Sequence, residues 1–267
     1  VALTTLLLNA KWSDNIAPRT MASHSRQVLL LGSEQVRHLH AVLKRKEKQH
    51  EQPVALSNEV IRQHLDSTNS EHVIFILVAT PVEEVGRDHD FDWAIVEPSS
   101  YRSIIQLAGR VLRHRHLEKD IAQPNIGLLQ YNLKGLRGAK VAFEKPGFEI
   151  NNDKFKLKTK NLSDLIDLPE DAGINAIPRI QANTLLKATE KLADLEHAVL
   201  AHSLTNYNQG GAKPLNAWLK QYWFLTALPQ RFTPFRQSSP NIQLFAVWKD
   251  HKLVFSEKDD FGQYFDR

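Results

Sequence analysis

The chain has 267 residues, enough for one large or two modest domains, and its apolar and charged contents of 42% and 24% are ordinary for a globular protein. Its formal net charge of +4 permits a nucleic acid partner without demanding one. It has no cysteine, which excludes disulfides and thiolate metal sites, and no apolar run approaches the roughly 20 residues of a membrane helix. The opening VALTTLLLNAKW is too short and lacks the basic start of a signal peptide, so we expect a cytoplasmic protein. Because the first residue is not methionine, we also expect a fragment of a longer protein.

Helical and strand patterns alternate through the first 130 or so positions. Helices are predicted over 1–12, 33 to about 48, 58–65 and 101 to about 114, and strands or strand-like segments over 21–25, 72–79, 93–96 and 125–130. The run HVIFILVA at 72–79 is almost continuously apolar, which fits a strand buried on both faces of a parallel sheet. Alternation of this kind predicts an α/β fold with a parallel sheet.

The chain changes character after residue 132. Residues 134–160 carry many more basic than acidic side chains and include Phe143, Phe148 and Phe155. Basic residues with aromatic ones suit single-stranded nucleic acid, because the charges meet phosphates and the rings stack on bases. The alternative is a solvated linker whose rings pack on the domain below it.

The rest of the chain is predicted to be a second, mixed domain. Helices are expected over 184–202 and 215–227, followed by a β-hairpin of 242–248 and 252–255. We therefore expect a first domain at 1–132, a basic linker or extension at 133–170 and a C-terminal domain at 171–267.

The first informative motif is A-T-x-x-x-E-x-G-x-D, which begins at Ala79 and includes Thr80, Gly86 and Asp88. It begins at the last residue of the strand 72–79, so its other residues lie in a loop at the carboxyl end of that strand. Ligands of open α/β sheets bind at this edge.

The second motif is Q-x-x-G-R-x-x-R, with Gln106, Arg110 and Arg113. Spacings of i, i+4 and i+7 predict one shared face on a helix that is otherwise largely apolar. A buried arginine without a partner is costly, so this stripe requires an anion, and a polyphosphate suits the guanidinium fork. The alternative is an arginine–carboxylate network inside the fold.

Together the motifs resemble motifs V and VI of superfamily 2 helicases. The whole chain resembles a narrower family, the helicase–nuclease of type I-F CRISPR interference, in which a Cas2 domain is fused to the Cas3 helicase–nuclease. The segments that carry this resemblance are SHSRQVLLL (23–31), VATPVEEVGRDHDFDWAIVEPSS (78–100), IIQLAGRVLRHR (104–115), LLQYNLKGLRG (128–138), INAIPRIQ (174–181) and WFLTALPQRFTPFR (223–236). The resemblance implies a second RecA-like helicase domain, a parallel sheet flanked by helices, followed by a smaller, mainly helical C-terminal domain.

The resemblance also implies an ATP-driven, 3′→5′ single-stranded DNA motor that degrades target DNA after recruitment by an RNA-guided surveillance complex. It implies ATP with Mg²⁺ in the intact enzyme, a Cas1-type integrase and an anti-CRISPR inhibitor as further partners, and no membrane. The residue roles that it implies are catalytic contacts to the γ-phosphate for Gln106, Arg110 and Arg113, ATP binding for Gly86 and Asp88, and DNA binding for His24, Ser25, Arg26 and Thr80. The chain departs from the family pattern at Ser23, where an aromatic residue is common, and at Gly32 and Leu112, where basic residues are common.

The other parts of such an enzyme are missing from this sequence. There is no G-x-x-x-x-G-K-[ST] loop, no D-E-x-H and no histidine–aspartate nuclease cluster. Residues 194–197 read DLEH, in the wrong order, and we expect a structural helix there. We expect no metal site, and the chain alone is predicted to be inactive.

A function of another class is a non-enzymatic docking module for the surveillance complex, a Cas1-type partner or an inhibitor. The aromatic residues Trp218, Trp223, Phe232 and Phe235 are compatible with it, although core packing is the commoner fate of such side chains.

Overall fold

The computed structural model of the chain describes residues 2–25, 27, 29–46, 51–84, 88–115, 123–144, 146–168, 173–205, 226 and 242–266. The elements in chain order are α1 Ala2–Asn9, β1 Ile16–Ser23, α2 Leu29–Leu43, α3 Val54–Ser57, α4 Glu59–Asp66, β2 His72–Ala79, the 3-10 helix η1 Pro81–Glu84, β3 Ala94–Val96, α5 Tyr101–Ala108, β4 Ile126–Leu128, α6 Leu133–Leu136, α7 Leu162–Leu165, α8 Ile177–Ile180, α9 Leu192–Thr205, β5 Phe245–Lys249, β6 Lys252–Lys258 and β7 Tyr264–Asp266. They fall into two compact units, Val1–His202 and Ser203–Arg267.

Strands β1 and β2 form a parallel pair that runs from Ile16 opposite His72 to Ser23 opposite Ala79. Strand β2 has the predicted bounds, whereas β1 starts well before the predicted segment 21–25. Pro18 lies inside β1, and a proline argues against a strand because it cannot donate a hydrogen bond. Parallel neighbours need a long crossover, and helices α2 to α4 lie within that connection.

The expectation that β2 is buried on both faces was wrong. Its residues are half-buried or exposed, and Phe75 retains 45% of its surface. Among the described residues β2 pairs with β1 in a two-stranded sheet, so much of it stays open.

A second parallel pair, β3 with β4, runs from Ala94 opposite Ile126 to Val96 opposite Leu128. Helix α5 lies in the connection between these two strands. Two parallel pairs with helical crossovers confirm a mixed α/β structure, and the RecA-like arrangement stays a prediction.

Helix α4 begins at Glu59, one residue after the predicted start. Asn58 is its N-cap, and the side-chain Oδ1 accepts hydrogen bonds from the backbone N–H of Val60 at 3.1 Å and of Ile61 at 3.3 Å. An N-cap of this kind satisfies backbone donors that have no partner inside the helix.

The core of the first unit surrounds helix α5 and draws on distant parts of the chain. Its buried members are Val96, Tyr101, Ile104, Ala142, Phe143, Phe155, Leu157, Leu162, Leu165, Ile166, Leu192, Ala193 and Leu195. This core combines residues from both sides of position 132, so the segments before and after it pack together. The division into three domains stays a prediction.

The rings of the basic segment 134–160 belong to this core. Phe143 and Phe155 are 0% and 8% exposed, and Phe148 packs against the same cluster. The structure therefore agrees with the alternative in which these rings pack on the domain below.

Helix α9 starts at Leu192, later than the predicted 184, and Leu185 is 78% exposed outside it. The predicted helix 215–227, and with it Trp218 and Trp223, lies outside the described residues, as do Phe232 and Phe235.

The second unit contains the predicted hairpin. Strands β5 and β6 pair antiparallel, with Lys249 opposite Lys252, and β7 adds a third strand. Asp250 and His251 have φ of 50° and 61°, as expected for both central residues of a type I′ turn.

Candidate functional site

The carboxyl ends of β1 and β2 bring two of the predicted DNA-contact segments together. Ser23 ends β1, and its carbonyl oxygen accepts a hydrogen bond from the backbone N–H of Thr80 at 3.1 Å. His24 and Ser25 follow Ser23, so they leave the sheet at the same edge as Thr80. Ser25 and Thr80 are exposed and His24 is half-buried. Arg26 lies outside the described residues.

The segment after β2 turns inward. Glu83 and Glu84, at the end of η1, are only 4% and 7% exposed. The Glu83 carboxylate lies 2.7 Å from Nδ1 of the buried His89, and Oε2 of Glu84 accepts a hydrogen bond from the Ser103 hydroxyl at 2.9 Å. Burial is the largest influence on Glu84 and raises the pKa of its carboxyl. These contacts fasten the first motif to the start of α5.

Helix α5 begins with a serine cap. Ser100 has extended backbone angles, and its hydroxyl oxygen accepts a hydrogen bond from the Ser103 N–H at 3.0 Å. Tyr101, Ser103 and Ile104 face the core, so the first turn of the helix is fixed by packing as well as by its cap.

The predicted common face of Gln106, Arg110 and Arg113 was wrong. Helix α5 ends at Ala108, because the chain leaves the helix at Gly109 and Val111 forms a bridge with Phe91. Leu112 then takes a φ of 50°, which turns the backbone once more. Gln106 is exposed on the helix, whereas Arg110 and Arg113 lie on the segment after it. Gly109 lies inside the predicted helix, and a glycine at such a position was a sequence signal that the helix could end early.

Arg110 is the least solvated of the three predicted catalytic side chains, at 8% exposed. Its Nη2 donates to the Glu84 carbonyl at 3.4 Å, and its Nη1 has no hydrogen-bond partner among the residues that the structure describes. Burial, with the charge of Arg113 second, lowers the pKa of Arg110. A buried guanidinium with an unused donor is expensive, so the geometry favours an anion beside it.

Arg113 and Asp88 lie next to each other in the folded chain. The Arg113 Nε is 3.6 Å from Asp88 Oδ1, and His114 Nε2 is 2.7 Å from the same oxygen. Lys46 also forms an ion pair with Asp88. Hydrogen bonds from Lys46 and then His114 hold the pKa of Asp88 well below its usual range, so this carboxylate stays ionised.

Asp90 is a structural residue of this site that the sequence analysis did not single out for such a role. It is fully buried, and it accepts hydrogen bonds from the backbone N–H of Arg113 at 3.1 Å and of His114 at 3.0 Å. Arg115 Nη2 donates to it as well, at 2.9 Å. Asp90 thereby sets the course of the backbone that carries Arg113.

Of the predicted ATP-contact residues, Asp88, Arg110 and Arg113 are brought together, whereas Gln106 is exposed on α5 and Gly86 lies outside the described residues. Within the described part of the chain, no group of three or more metal-ligating side chains is present. None of the helices in the described residues is both long and apolar enough to span a membrane.

Comparison with known proteins identifies relatives of this chain. The profile of the family described as "CRISPR-associated nuclease/helicase Cas3, C-terminal" matches residues 2–116, the part that holds both motifs. A relative from Pectobacterium atrosepticum, "CRISPR-associated nuclease/helicase Cas3 subtype I-F/YPEST", is 41% identical over 76% of this chain and 19% of its own length. A protein of the same description from Pseudomonas aeruginosa is 39% identical over 91% of this chain and 22% of its own length.

The chain thus spans about a fifth of the length of the curated relatives that it matches. On these matches, the chain belongs to the family of type I-F CRISPR-associated nuclease/helicases, Cas3, and corresponds to the C-terminal part of such a protein.

Proposed function

We propose that this chain supplies half of an ATP site, and part of a DNA track, to an ATP-dependent single-stranded DNA helicase–nuclease that degrades target DNA in type I-F CRISPR interference. The first motif acts as helicase motif V and the second as motif VI of a superfamily 2 motor. The observation that carries the proposal is the buried Arg110, whose Nη1 has no hydrogen-bond partner among the described residues.

In this proposal Arg110 and Arg113 bind the γ-phosphate of ATP. A guanidinium fork matches phosphate oxygens and stabilises the charge that develops on them during phosphoryl transfer. Arg110 is preorganised because it is buried against Glu84, and Arg113 because Asp90 holds its backbone and Asp88 lies at its side chain. ATP with Mg²⁺ supplies the phosphoryl chemistry, and the arginines supply charge stabilisation.

Gln106 and Asp88 have less direct roles in this site. Gln106 is exposed on α5, so it is accessible to nucleotide or to the other helicase domain of the intact enzyme. Asp88 is proposed to lie near the ribose, and its ion pairs also orient Arg113. Gly86 is proposed to line the same nucleotide-binding loop.

The DNA track is proposed to run along the edge formed by His24, Ser25, Arg26 and Thr80. Support comes from the hydrogen bond that brings Thr80 beside the end of β1, and from the exposure of Ser25 and Thr80. Hydroxyl and backbone N–H groups of this kind position a strand through its phosphates without reading sequence. Thr80 leads directly into the segment that contacts Arg110, so closure of the domains on ATP would be coupled to the binding of DNA.

The test is single-stranded-DNA-stimulated ATP hydrolysis by the full-length enzyme that carries this chain. Arg110→Ala is expected to lower the turnover rate by roughly a thousandfold, the scale of a missing arginine finger. Arg37→Ala, an exposed arginine on α2, is the matched control and is expected to leave turnover unchanged. Equal turnover for wild type and Arg110→Ala, with both folded, would reject the proposal.

The isolated chain is proposed to hydrolyse ATP and cut DNA at background rates only. Its sequence has no G-x-x-x-x-G-K-[ST] loop to cradle the phosphates, so nucleotide would be held on one side alone. Robust Mg²⁺-dependent ATP hydrolysis by the purified chain would contradict this point.

Docking is the second candidate function. It is favoured by the exposed apolar face of the second unit, where Trp248 and Phe255 are 74% and 62% exposed. The proposed partners are the RNA-guided surveillance complex, a Cas1-type integrase and an anti-CRISPR inhibitor. Each is tested by titrating the purified partner against wild type and Trp248→Ser, with weaker binding of the variant as the supporting result.

A further inference from the structure

Glu196 is a buried carboxylate that the proposed ATP site does not use. It lies on helix α9 and is 3% exposed. A charge removed from water in this way needs partners, and those of Glu196 lie far away in the sequence.

The Glu196 carboxylate caps the start of helix α5. Its Oε1 accepts hydrogen bonds from the backbone N–H of Tyr101 at 2.6 Å and of Arg102 at 3.3 Å. The first N–H groups of a helix have no partner inside it, and a negative charge there is favourable. The other oxygen, Oε2, accepts from Arg179 Nη1 at 3.0 Å. One side chain therefore joins α9, α8 and α5.

A second contact fixes the same end of α5. The Tyr101 hydroxyl donates to the Asn175 carbonyl at 3.0 Å, and Tyr101 is 3% exposed. The residues around α8 and α9 thus hold the first turn of α5 from two sides, through backbone and side chain.

The other end of α5 leads directly to Arg110. The helix runs from Tyr101 to Ala108, and Arg110 follows after Gly109. Eight residues of α-helix form a stiff rod of about 12 Å, so a shift of its first turn is passed on to its last. Glu84 contacts both parts of this path: its carboxylate accepts a hydrogen bond from the Ser103 hydroxyl, and its backbone carbonyl accepts one from Arg110 Nη2.

We propose that Glu196 is a positioning residue for Arg110: through α5 it couples residues 173–205 to ATP hydrolysis. This inference rests on the proposed function, in which Arg110 binds the γ-phosphate. It predicts that loss of the Glu196 carboxylate lowers the rate of hydrolysis more than it weakens ATP binding, because the arginine is displaced rather than removed.

The experiment measures kcat and KM for ATP in DNA-stimulated hydrolysis by the full-length enzyme. Glu196→Ala is expected to lower kcat by about tenfold or more, since small misplacement of a catalytic group is costly, with KM changed by less than about twofold. Glu196→Gln keeps an acceptor oxygen for the Tyr101 N–H and is expected to lose only about threefold in kcat.

Asp194 offers a matched control on the same helix. It is 2% exposed and accepts hydrogen bonds from Asn183 Nδ2 and the Lys187 N–H, both at 2.9 Å, within the segment before α9. Asp194→Ala is therefore expected to lower the melting temperature as Glu196→Ala does, with kcat within about twofold of wild type below the transition.

Three results would overturn the inference: an unchanged kcat for Glu196→Ala, an equal fall in kcat for Asp194→Ala, or a poorly folded Glu196→Ala with an unchanged kcat for Glu196→Gln.

Arg110→Lys, assayed alongside, separates the two proposals. If it leaves hydrolysis unchanged, the proposed function fails. If it lowers hydrolysis, adding Glu196→Ala should lower kcat less than it does in the wild type, because both changes act on one group.

Discussion

The hydroxyl of Ser103 donates a hydrogen bond to Glu84 Oε2 at 2.9 Å, and this bond ties the first turn of α5 to the segment after β2. Both side chains are buried, at 1% and 7% exposed. Together with the hydrogen bond from Arg110 Nη2 to the Glu84 carbonyl, the bond between Ser103 and Glu84 joins the two motifs, which are separate in sequence.

The buried Glu84 gives a pH-dependent prediction. Burial raises the pKa of Glu84 above its ordinary value of 4.5, so its carboxyl favours the folded state most when protonated. Its contribution to stability is complete below pH 4.5 and is lost as the pH rises through the raised pKa. Glu84→Gln stays neutral and still accepts from Ser103, so its melting temperature relative to wild type should increase between about pH 4 and pH 7. A difference that does not change with pH would count against this assignment.

The contribution of Asp88 to stability is predicted to depend on pH in the opposite direction. Lys46 and then His114 lower its pKa below 3.8, so its contribution is present above pH 3.8 and is lost as the pH falls through the lowered value. Asp88→Asn should melt earlier than wild type at pH 7, and the gap should close in strong acid. The exposed Asp66→Asn on α4 is the control and should melt as wild type does at both extremes. Equal melting of Asp88→Asn and wild type at pH 7 would show that these ion pairs add no stability.

Gly147 is a position where only glycine fits. A Cβ there would collide with the backbone carbonyl groups of Phe143 and Ser99, and the latter directly precedes the cap of α5. Gly147→Ala should lower the free energy of unfolding by more than about 2 kcal/mol, because backbone must move. Gly173→Ala, where a Cβ would meet nothing within 4 Å, should stay within about 1 kcal/mol of wild type. Chemical denaturation of both variants measures this difference, and similar unfolding energies would contradict the clash.

Phe143 tests whether the basic segment uses its rings to stack on bases. Because this side chain is fully buried, Phe143→Ala should cost about 3–5 kcal/mol of stability. The milder Phe143→Leu should leave the affinity for single-stranded DNA unchanged at temperatures where the protein is folded. A clear loss of DNA affinity without a loss of stability would mean that the ring meets bases after all.

Local signals in the sequence were sufficient for several parts of the structure. The apolar run of β2, the Ser100 cap and the hairpin of β5 and β6 each depend on neighbouring residues, and each was predictable from them. The end of α5 was missed because apolar periodicity continued past Gly109, while the backbone turned at Leu112.

Long-range contacts were beyond what one sequence reveals. Glu196 accepts a hydrogen bond from Tyr101, which lies 95 positions away, and the sequence around either residue does not predict this contact. Phe143 likewise belongs to a core cluster that includes residues of α7 and α9. For the candidate site, the motifs predicted the chemistry at Arg110 and Arg113, but the fold supplied the groups that position them, the backbone carbonyl of Glu84 and the carboxylate of Asp90.

The central claim is that the guanidinium of Arg110 acts on the γ-phosphate, and the single-turnover rate of ATP hydrolysis by Arg110→Lys in the full-length enzyme tests it most directly. Lysine keeps the positive charge but not the planar fork, so the rate should fall by about a hundredfold or more while the melting temperature stays close to that of wild type. An unchanged rate would contradict the account and make the arginine a structural residue.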